Sequence, residues 1–281
     1  MKYSYYPGCS LESTAKEYDD SVREVCRILG VDLEELEDWV CCGASSGHSS
    51  NHLLSHVLPG RDLAVAEKSG LDVMTPCPAC FLRLKLTRHK VIQDNELRSQ
   101  VEAAVGLTYT ARLDVKNILD VMYSDVGVDS IREKVTKPLG DVKLVSYYGC
   151  YFVRPPDIVC FDDPENPQSM DEILTVLGAD ALDWAGKVDC CGASLSLSRK
   201  DIVVDLIGNI VELARDVGAE GIVCACPLCQ VNLDTRQAGE VLPVFYLTEL
   251  MGLAMGSRKT NSWFGKHIVD PLKLLRSYAL I

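Results

Sequence analysis

The 281-residue sequence lacks several features, and each absence excludes a class of protein. It contains no run of about eighteen apolar residues, so no segment is expected to span a bilayer. Residues 1–5 lack the apolar core of a secretory signal, and we predict that they form the first strand of a cytoplasmic protein. Acidic residues outnumber Lys and Arg and give a net charge of −12. No basic stripe offers a binding surface for phosphates, so nucleic-acid binding is not expected.

Two cofactor signatures are also missing. There is no glycine-rich nucleotide-binding fingerprint, so any flavin or nicotinamide is expected on a partner and not on this chain. The cysteines do not form the compact run of four that is typical of ferredoxins. Structural disulfides are not expected in a cytoplasmic protein. The thirteen cysteines therefore need another explanation.

An internal repeat organises these cysteines. The pentapeptide CCGAS occurs at 41–45 and returns at 190–194, and a Cys-x-x-Cys motif at 77–80 returns at 226–229 with the same offset. A single cysteine follows an aromatic stretch near the start of each copy, after YYPG in the first and after YYG in the second. Ten cysteines thus form two matched sets of five. The first set is Cys9, Cys41, Cys42, Cys77 and Cys80, and the second set is Cys150, Cys190, Cys191, Cys226 and Cys229.

The repeat predicts two domains, with a boundary near Pro138. The first domain covers 1–138 and carries a charged helical insertion at about 91–108, while the second covers 139–281 and includes the C-terminal tail. In both halves short buried strands alternate with amphipathic helices, which favours parallel sheets. We therefore expect an α/β protein built from two pseudo-twofold-related repeats, with mostly parallel sheets and the cysteine ligands on loops.

Several local expectations follow from the same patterns. A helix is predicted over 14–29 with Ser13 as its N-cap, and another over 53–68 that is broken or kinked near Pro59. Each Cys-x-x-Cys is expected where a strand gives way to a helix, a position that suits an anion. A polar loop is predicted at 161–167, and the apolar tail from Trp263 to Ile281 is expected to pack on its own domain.

Three interpretations of the cysteines remain after disulfides are set aside. Burial as a small apolar side chain explains an isolated cysteine, and we expect it for Cys26, Cys160 and Cys224, which have no counterpart in the other repeat. A zinc site needs four ligands and leaves a fifth thiol over. An iron–sulfur cluster shares several irons among its thiolates, so adjacent cysteines can bind different irons. The matched sets of five therefore favour iron–sulfur clusters, with zinc as the alternative.

The pattern of the two sets resembles the paired CCG domains of the heterodisulfide reductase B subunit over almost the whole chain. Stretches 227–237 and 245–253 are similar to bacterial relatives. The resemblance implies that each domain holds a noncubane 4Fe-4S cluster through its five cysteines. It also implies that a disulfide, such as that of coenzymes M and B, is reduced between the two clusters. The implied partners are the ferredoxin-like iron–sulfur subunit and the flavin-containing subunit of the same complex.

The alternative function is an iron–sulfur electron-transfer or assembly subunit of a related redox complex with a different acceptor. Intact cysteine sets in both repeats favour the catalytic interpretation. Weaker candidates for contacts to substrate are Arg154, Arg199 and Lys200, which suit an anionic group. His48 and His52 follow the first Cys-Cys-Gly and are candidate proton donors. A surface role is the competing interpretation for all five residues.

Overall fold

The computed structural model describes residues 1–281 and contains two four-stranded sheets, one for each repeat. The strand order is β2-β1-β3-β4 in the first and β6-β5-β7-β8 in the second, and all neighbouring strands are parallel. The predicted α/β class is therefore confirmed. No helix is both long enough and apolar enough to cross a membrane.

The elements of the first repeat alternate as its hydrophobic pattern predicts. Its strands are β1 (Lys2–Tyr5), β2 (Asp32–Glu35), β3 (Val73–Thr75) and β4 (Val115–Asn117). Its helices are α1 (Gly8–Glu12), α2 (Lys16–Leu29), α3 (Gly47–Ser50), α4 (Leu54–Ala66), α5 (Pro78–Gln93), α6 (Asn95–Val105), α7 (Ile118–Asp120) and α8 (Val128–Lys134), with a π-helix at Val121–Gly127.

The second repeat has the same strand order and more helices near its end. Its strands are β5 (Lys143–Tyr147), β6 (Asp180–Ala181), β7 (Gly221–Cys224) and β8 (Val244–Tyr246). Its helices are α9 (Pro156–Val159), α10 (Ser169–Val176), α11 (Lys200–Asp216), α12 (Pro227–Thr235), α13 (Leu247–Ala254), α14 (Thr260–Phe264) and α15 (Leu272–Ser277), with a 3₁₀ turn at Ala193–Leu195. The first repeat has α6 between α5 and β4, whereas no helix separates α12 from β8.

The apolar core is shared unequally between the repeats. One cluster of 56 buried residues covers the second sheet and also takes in α2, including Tyr18 and Val22. A second cluster of 20 residues lies on the other side of the first sheet, around α4, α5 and α6. Trp263 and Phe264 of the tail are buried, as predicted. The helix α2 packs against α13, so the two repeats meet through their cores.

Some local expectations are wrong. The break expected near Pro59 is absent, since α4 runs continuously from Leu54 to Ala66; Pro59 and Gly60 are buried, and a Cβ at Gly60 would lie 2.6 Å from Val101 of α6. Ser13 does not cap α2, which begins after Ala15. The Ser13 hydroxyl donates instead to the carbonyl of Cys9, 2.7 Å away, at the end of α1.

The three unmatched cysteines behave differently from one another. Cys26 and Cys224 are buried, as expected. Cys160 is exposed, which contradicts the expectation of burial. It follows α9 with φ of +50, and this left-handed backbone ends the helix at the surface of the polar insertion.

Candidate iron–sulfur cluster sites

The matched cysteines follow the carboxyl ends of three neighbouring strands in each sheet. In the first repeat they come after β1, β2 and β3, and in the second after β5, β6 and β7. Carboxyl ends of parallel strands meet at one edge, where the loops can bind ligands. Not all of the cysteines lie on loops, because Cys9 is within α1 and both Cys-x-x-Cys motifs open helices α5 and α12. The topology therefore brings distant cysteines together.

The sulfur atoms of each set are near neighbours. In the first set the sulfurs of Cys42 and Cys80 are 3.3 Å apart, and those of Cys9 and Cys41 are 3.9 Å apart. In the second set the sulfurs of Cys191 and Cys229, which correspond to Cys42 and Cys80, are 3.4 Å apart. No three of the His, Cys, Asp or Glu side chains surround a single-ion position. The close sulfur contacts instead join the cysteines in pairs.

Exposure follows the same pattern in both sets. Cys9, Cys41 and Cys190 are exposed and Cys150 is half-buried, while the other six matched cysteines are buried. The six buried cysteines are Cys42, Cys77, Cys80, Cys191, Cys226 and Cys229. Each set thus has a buried side, formed by its Cys-x-x-Cys and the second cysteine of its Cys-Cys-Gly, and an open side.

Hydrogen bonds between the thiols shift their pKa values in opposite directions. The pKa of Cys41 is lowered mainly by its hydrogen bonds with Cys42 and Cys9, while that of Cys9 is raised mainly by its hydrogen bond with Cys41 and by burial. The pKa of Cys190 falls to about 6 because Cys150 donates to it. Like charges this close disfavour one another. Five thiolates in one place need several neutralising cations, and a multi-iron cluster provides them.

Glycines let the backbone approach the sulfurs. Gly8 and Gly149 precede the single cysteines with φ of +74 and +66. A Cβ at Gly8 would lie 2.9 Å from the sulfur of Cys80, and one at Gly149 would lie 3.3 Å from the sulfur of Cys229. Gly43 and Gly192, in the Cys-Cys-Gly motifs, also have positive φ. The all-sulfur donor sets and these close backbone approaches fit a bulky iron–sulfur core.

Backbone N–H groups add to this fit. Cys226 is the N-cap of α12, and its sulfur accepts a hydrogen bond from the N–H of Cys229 at 3.4 Å. The N–H of Gly192 points at the sulfur of Cys190 from the same distance, 3.4 Å. Helix N-termini favour negative charge. The first turn of α12 therefore stabilises thiolate.

Two tyrosines that the sequence patterns do not single out hold the Cys-Cys-Gly loops. The Tyr6 hydroxyl donates to the carbonyl of Val40 at 2.7 Å, and the Tyr147 hydroxyl donates to that of Asp189 at 2.6 Å. Val40 and Asp189 each immediately precede a Cys-Cys-Gly. The aromatic stretch before each single cysteine is the signal that could have identified them, but on its own it indicates only a strand.

A third tyrosine joins the two sets. Tyr18 of α2 is completely buried, and its hydroxyl donates to the carbonyl of Ala225 at 2.7 Å and lies 3.3 Å from that of Pro76. These carbonyls belong to the residues just before Cys226 and Cys77. The Tyr18 ring stacks on Tyr246, with centroids 4.1 Å apart. One side chain thus contacts both Cys-x-x-Cys loops, which places the two sites side by side.

The weaker candidates lie at varied positions. Arg154 lines a cavity that also touches Cys150. Arg199 is exposed and pairs with Asp201 at 2.6 Å, and Lys200 is exposed at the start of α11. His48 and His52 are both exposed, and the His52 ring packs against buried His56. No contact brings Arg199, Lys200 or the two histidines to a matched cysteine.

Comparison with known proteins identifies the family to which this chain belongs. The family model described as "Cysteine-rich domain" (CCG) matches residues 3–85 and 144–234, so the chain belongs to the CCG cysteine-rich domain family. Among its relatives is the 8-methylmenaquinol:fumarate reductase membrane anchor subunit of Wolinella succinogenes, 31% identical over 97% of this chain and 99% of that protein.

Other relatives confirm the resemblance that the cysteine pattern indicates. A protein of Archaeoglobus profundus that is named as similar to the heterodisulfide reductase B subunit is 27% identical over 91% of both chains. The B subunit of the ferredoxin:CoB-CoM heterodisulfide reductase of Methanosarcina mazei is 24% identical over 98% of this chain and 96% of its own.

One solved structure has the same fold. A hypothetical protein from Helicobacter pylori superposes with a TM-score of 0.72 at 12% identity. The match covers 95% of this chain but only 51% of that protein, so this chain spans about half of its length.

Proposed function

We propose that this protein is the disulfide-reducing iron–sulfur subunit of a heterodisulfide reductase-type complex. The observation that carries the proposal is that two matched five-cysteine sets lie side by side, since the Tyr18 hydroxyl contacts the residue before each Cys-x-x-Cys motif. Membership of the CCG family and relatives named for the heterodisulfide reductase B subunit support an iron–sulfur redox role.

Each cysteine set would hold one noncubane 4Fe-4S cluster. The first would use Cys9, Cys41, Cys42, Cys77 and Cys80, and the second Cys150, Cys190, Cys191, Cys226 and Cys229. When bound, such clusters supply one-electron transfer and iron sites that can bind sulfur. The six buried cysteines and the glycine turns behind them keep water from the inner side. Cys9, Cys41, Cys150 and Cys190 leave the outer side accessible to a reactant.

Reduction of a disulfide breaks the S–S bond and consumes two electrons and two protons to give two thiols. Two adjacent one-electron sites match this requirement, whereas a single site would leave a thiyl radical. The electrons would come from a ferredoxin-like iron–sulfur subunit, which is supplied in turn by a flavin-containing subunit. Solvent at the open side provides the protons.

The Wolinella relative favours a second candidate function. Since that protein is named as a subunit of an 8-methylmenaquinol:fumarate reductase, the chain would then pass electrons from a quinol to a fumarate-reducing partner. Oxidation of the quinol releases two electrons and two protons, and each cysteine set would serve as a one-electron relay.

An assay of the intact complex separates the two functions. Reduced viologen should be oxidised in the presence of a panel of disulfides, including that of coenzymes M and B, with release of free thiol. Cys42→Ser and Cys191→Ser should each abolish this turnover, and the double variant should lose little more, because groups that act as a unit are not additive. The anaerobic wild type should carry roughly eight irons per chain.

Two results would contradict the proposal. Zinc without acid-labile sulfide would exclude the clusters. Turnover of a quinol with no disulfide reduced would favour the second candidate.

A further inference from the structure

A cavity of about 530 Å³ lies where the two repeats meet. The first repeat contributes Leu82, two residues after Cys80. The second contributes Cys150, Tyr151, Arg154, Glu165 and three prolines of the insertion that follows Cys150. Its size is within the range of small-molecule sites. The cavity is therefore lined by apolar side chains, one matched cysteine and the guanidinium of Arg154, which pairs with Glu165.

The insertion that forms this wall is held in place. Val159 of α9 is buried within the core of the first repeat, and α9 packs against α5. The carboxylate of Asp162 accepts hydrogen bonds from the N–H groups of Gln168 and Ser169, at 3.1 and 2.8 Å. The carboxylate of Asp163 accepts from the N–H of Asn166 at 2.9 Å. The wall is therefore preorganised, which lowers the entropic cost of binding.

The guanidinium of Arg154 can exchange its partner Glu165 for an anionic ligand. Arg154 pairs with Glu165 at 2.9 Å, but their side chains are 38% and 78% exposed. Such a surface pair contributes at most about 1 kcal/mol. An anion that binds the planar guanidinium through two hydrogen bonds can replace Glu165 at little cost.

A second cation is present on α5. Arg83 is half-buried and is next to Leu82 in the chain. The charged side chains that line the cavity are balanced, one guanidinium against one carboxylate, so an anionic ligand binds here by replacing Glu165 on Arg154.

We propose that this cavity binds the anionic end of the substrate, with its carboxylate, phosphate or sulfonate on Arg154 and its apolar part against Leu82 and the prolines. The reactive sulfur would then lie beside Cys150. This inference rests on the proposed function and deepens it. Because the insertion exists only in the second repeat, an asymmetric disulfide would bind in one orientation, with its acidic half on this side.

Two small disulfides test the proposal in the intact complex with reduced viologen. Dithiodiglycolate is anionic, and 2-hydroxyethyl disulfide is neutral. Arg154→Gln should raise the KM for dithiodiglycolate about tenfold or more, since a hydrogen bond to a charged group is lost, and leave the KM for the neutral disulfide unchanged. Glu165→Gln should lower the KM for dithiodiglycolate, because it removes the competing carboxylate.

The matched control is Arg215→Gln. Arg215 pairs with Glu240 at 2.5 Å, and their side chains are 43% and 76% exposed, much like the Arg154 pair, but they lie outside this cavity. This variant should change neither KM. Equal shifts for both disulfides in Arg154→Gln, or no shift for dithiodiglycolate, would overturn the proposal.

Calorimetry with mercaptoacetate distinguishes this proposal from the proposed function. The wild type should bind mercaptoacetate at least tenfold more tightly than Arg154→Gln does. If neither disulfide is turned over but this difference in binding is found, the disulfide-reductase function fails and the anion site stands. If disulfides are turned over but the variant binds mercaptoacetate as tightly as the wild type, the anion site alone fails.

Discussion

Tyr6 in the first repeat and Tyr147 in the second make the same hydrogen bond, to the carbonyl just before a Cys-Cys-Gly. Gly8 and Gly149 share a positive φ and lie beside equivalent sulfurs. All four residues belong to the aromatic and glycine motif that precedes the single cysteine of each repeat. The repeats therefore agree where the chain shapes the two cysteine sites.

Away from the sulfurs the repeats diverge. The first repeat carries α6 and a buried carboxylate, Asp62, whereas Val211 is the corresponding residue of the second. The second repeat carries the insertion that forms the cavity beside Cys150. Under the proposed function, the two clusters would therefore be held in similar ways, whereas the reactant would meet different charge and shape on the two sides.

Gly8→Ala and Gly149→Ala should have the largest effects. They test whether the two repeats shape their cysteine sites in the same way. Both place a residue with a side chain at positive φ, which costs about 1–2 kcal/mol. Both also put a Cβ against a sulfur, at 2.9 Å for Gly8 and 3.3 Å for Gly149. We expect both variants to lose iron and acid-labile sulfide, with the larger loss in Gly8→Ala.

Two glycines serve as controls for the backbone strain alone. Gly30 and Gly218 have φ of +70 and +81, and a Cβ at either position would meet nothing within 4 Å. Their alanine variants should be destabilised by a similar amount, about 1–2 kcal/mol for the left-handed backbone, yet keep their iron. Equal iron loss in all four variants would show that the close approach to sulfur is unimportant.

The sequence is sufficient to predict the sheet class and the grouping of the cysteines, because the repeat fixes which loops follow which strands. It does not predict the contact of Tyr18 with both Cys-x-x-Cys loops, since that contact depends on how two separate repeats pack together. The usual burial of cysteine predicts a buried Cys160, but the left-handed turn after α9 places it at the surface. Arg154 is a candidate from its spacing to Cys150, whereas the cavity around it requires the folded insertion.

Asp62 should give the first repeat a pH dependence that Val211, the corresponding residue of the second, cannot give. Its carboxylate accepts a hydrogen bond from the N–H of Val40 at 2.8 Å, but its other oxygen is buried without a partner. Burial raises the pKa of Asp62 to about 7, above the value of about 3.9 in an unfolded chain. The folded protein then binds more protons than the unfolded chain between these values, so stability falls as pH rises from about 4 to 7.

The measurement compares wild type with Asp62→Asn, which keeps an acceptor for Val40 and does not titrate. Relative to Asp62→Asn, the wild type should lose about 1 kcal/mol of unfolding free energy between pH 6 and pH 7. Apparent unfolding midpoints across this range report it, and Val211→Ala in the second repeat should show no such pH dependence. A constant difference between wild type and Asp62→Asn would mean that the carboxyl stays ionised.

Tyr6→Phe and Tyr147→Phe test the closest correspondence between the repeats and should have the smallest effects. Each removes one hydrogen bond to a carbonyl next to a Cys-Cys-Gly, which is expected to cost about 0.5–1.5 kcal/mol. The two variants should lose equal unfolding free energy, within error, if both tyrosines hold their Cys-Cys-Gly loops in the same way, and both should retain their iron.

Tyr109→Phe is the control, because the Tyr109 hydroxyl is buried without a partner and its removal should be neutral or stabilising. A loss confined to one of the two matched tyrosines, measured by chemical unfolding of the iron-loaded protein, would show that the repeats hold their cysteine loops by different means.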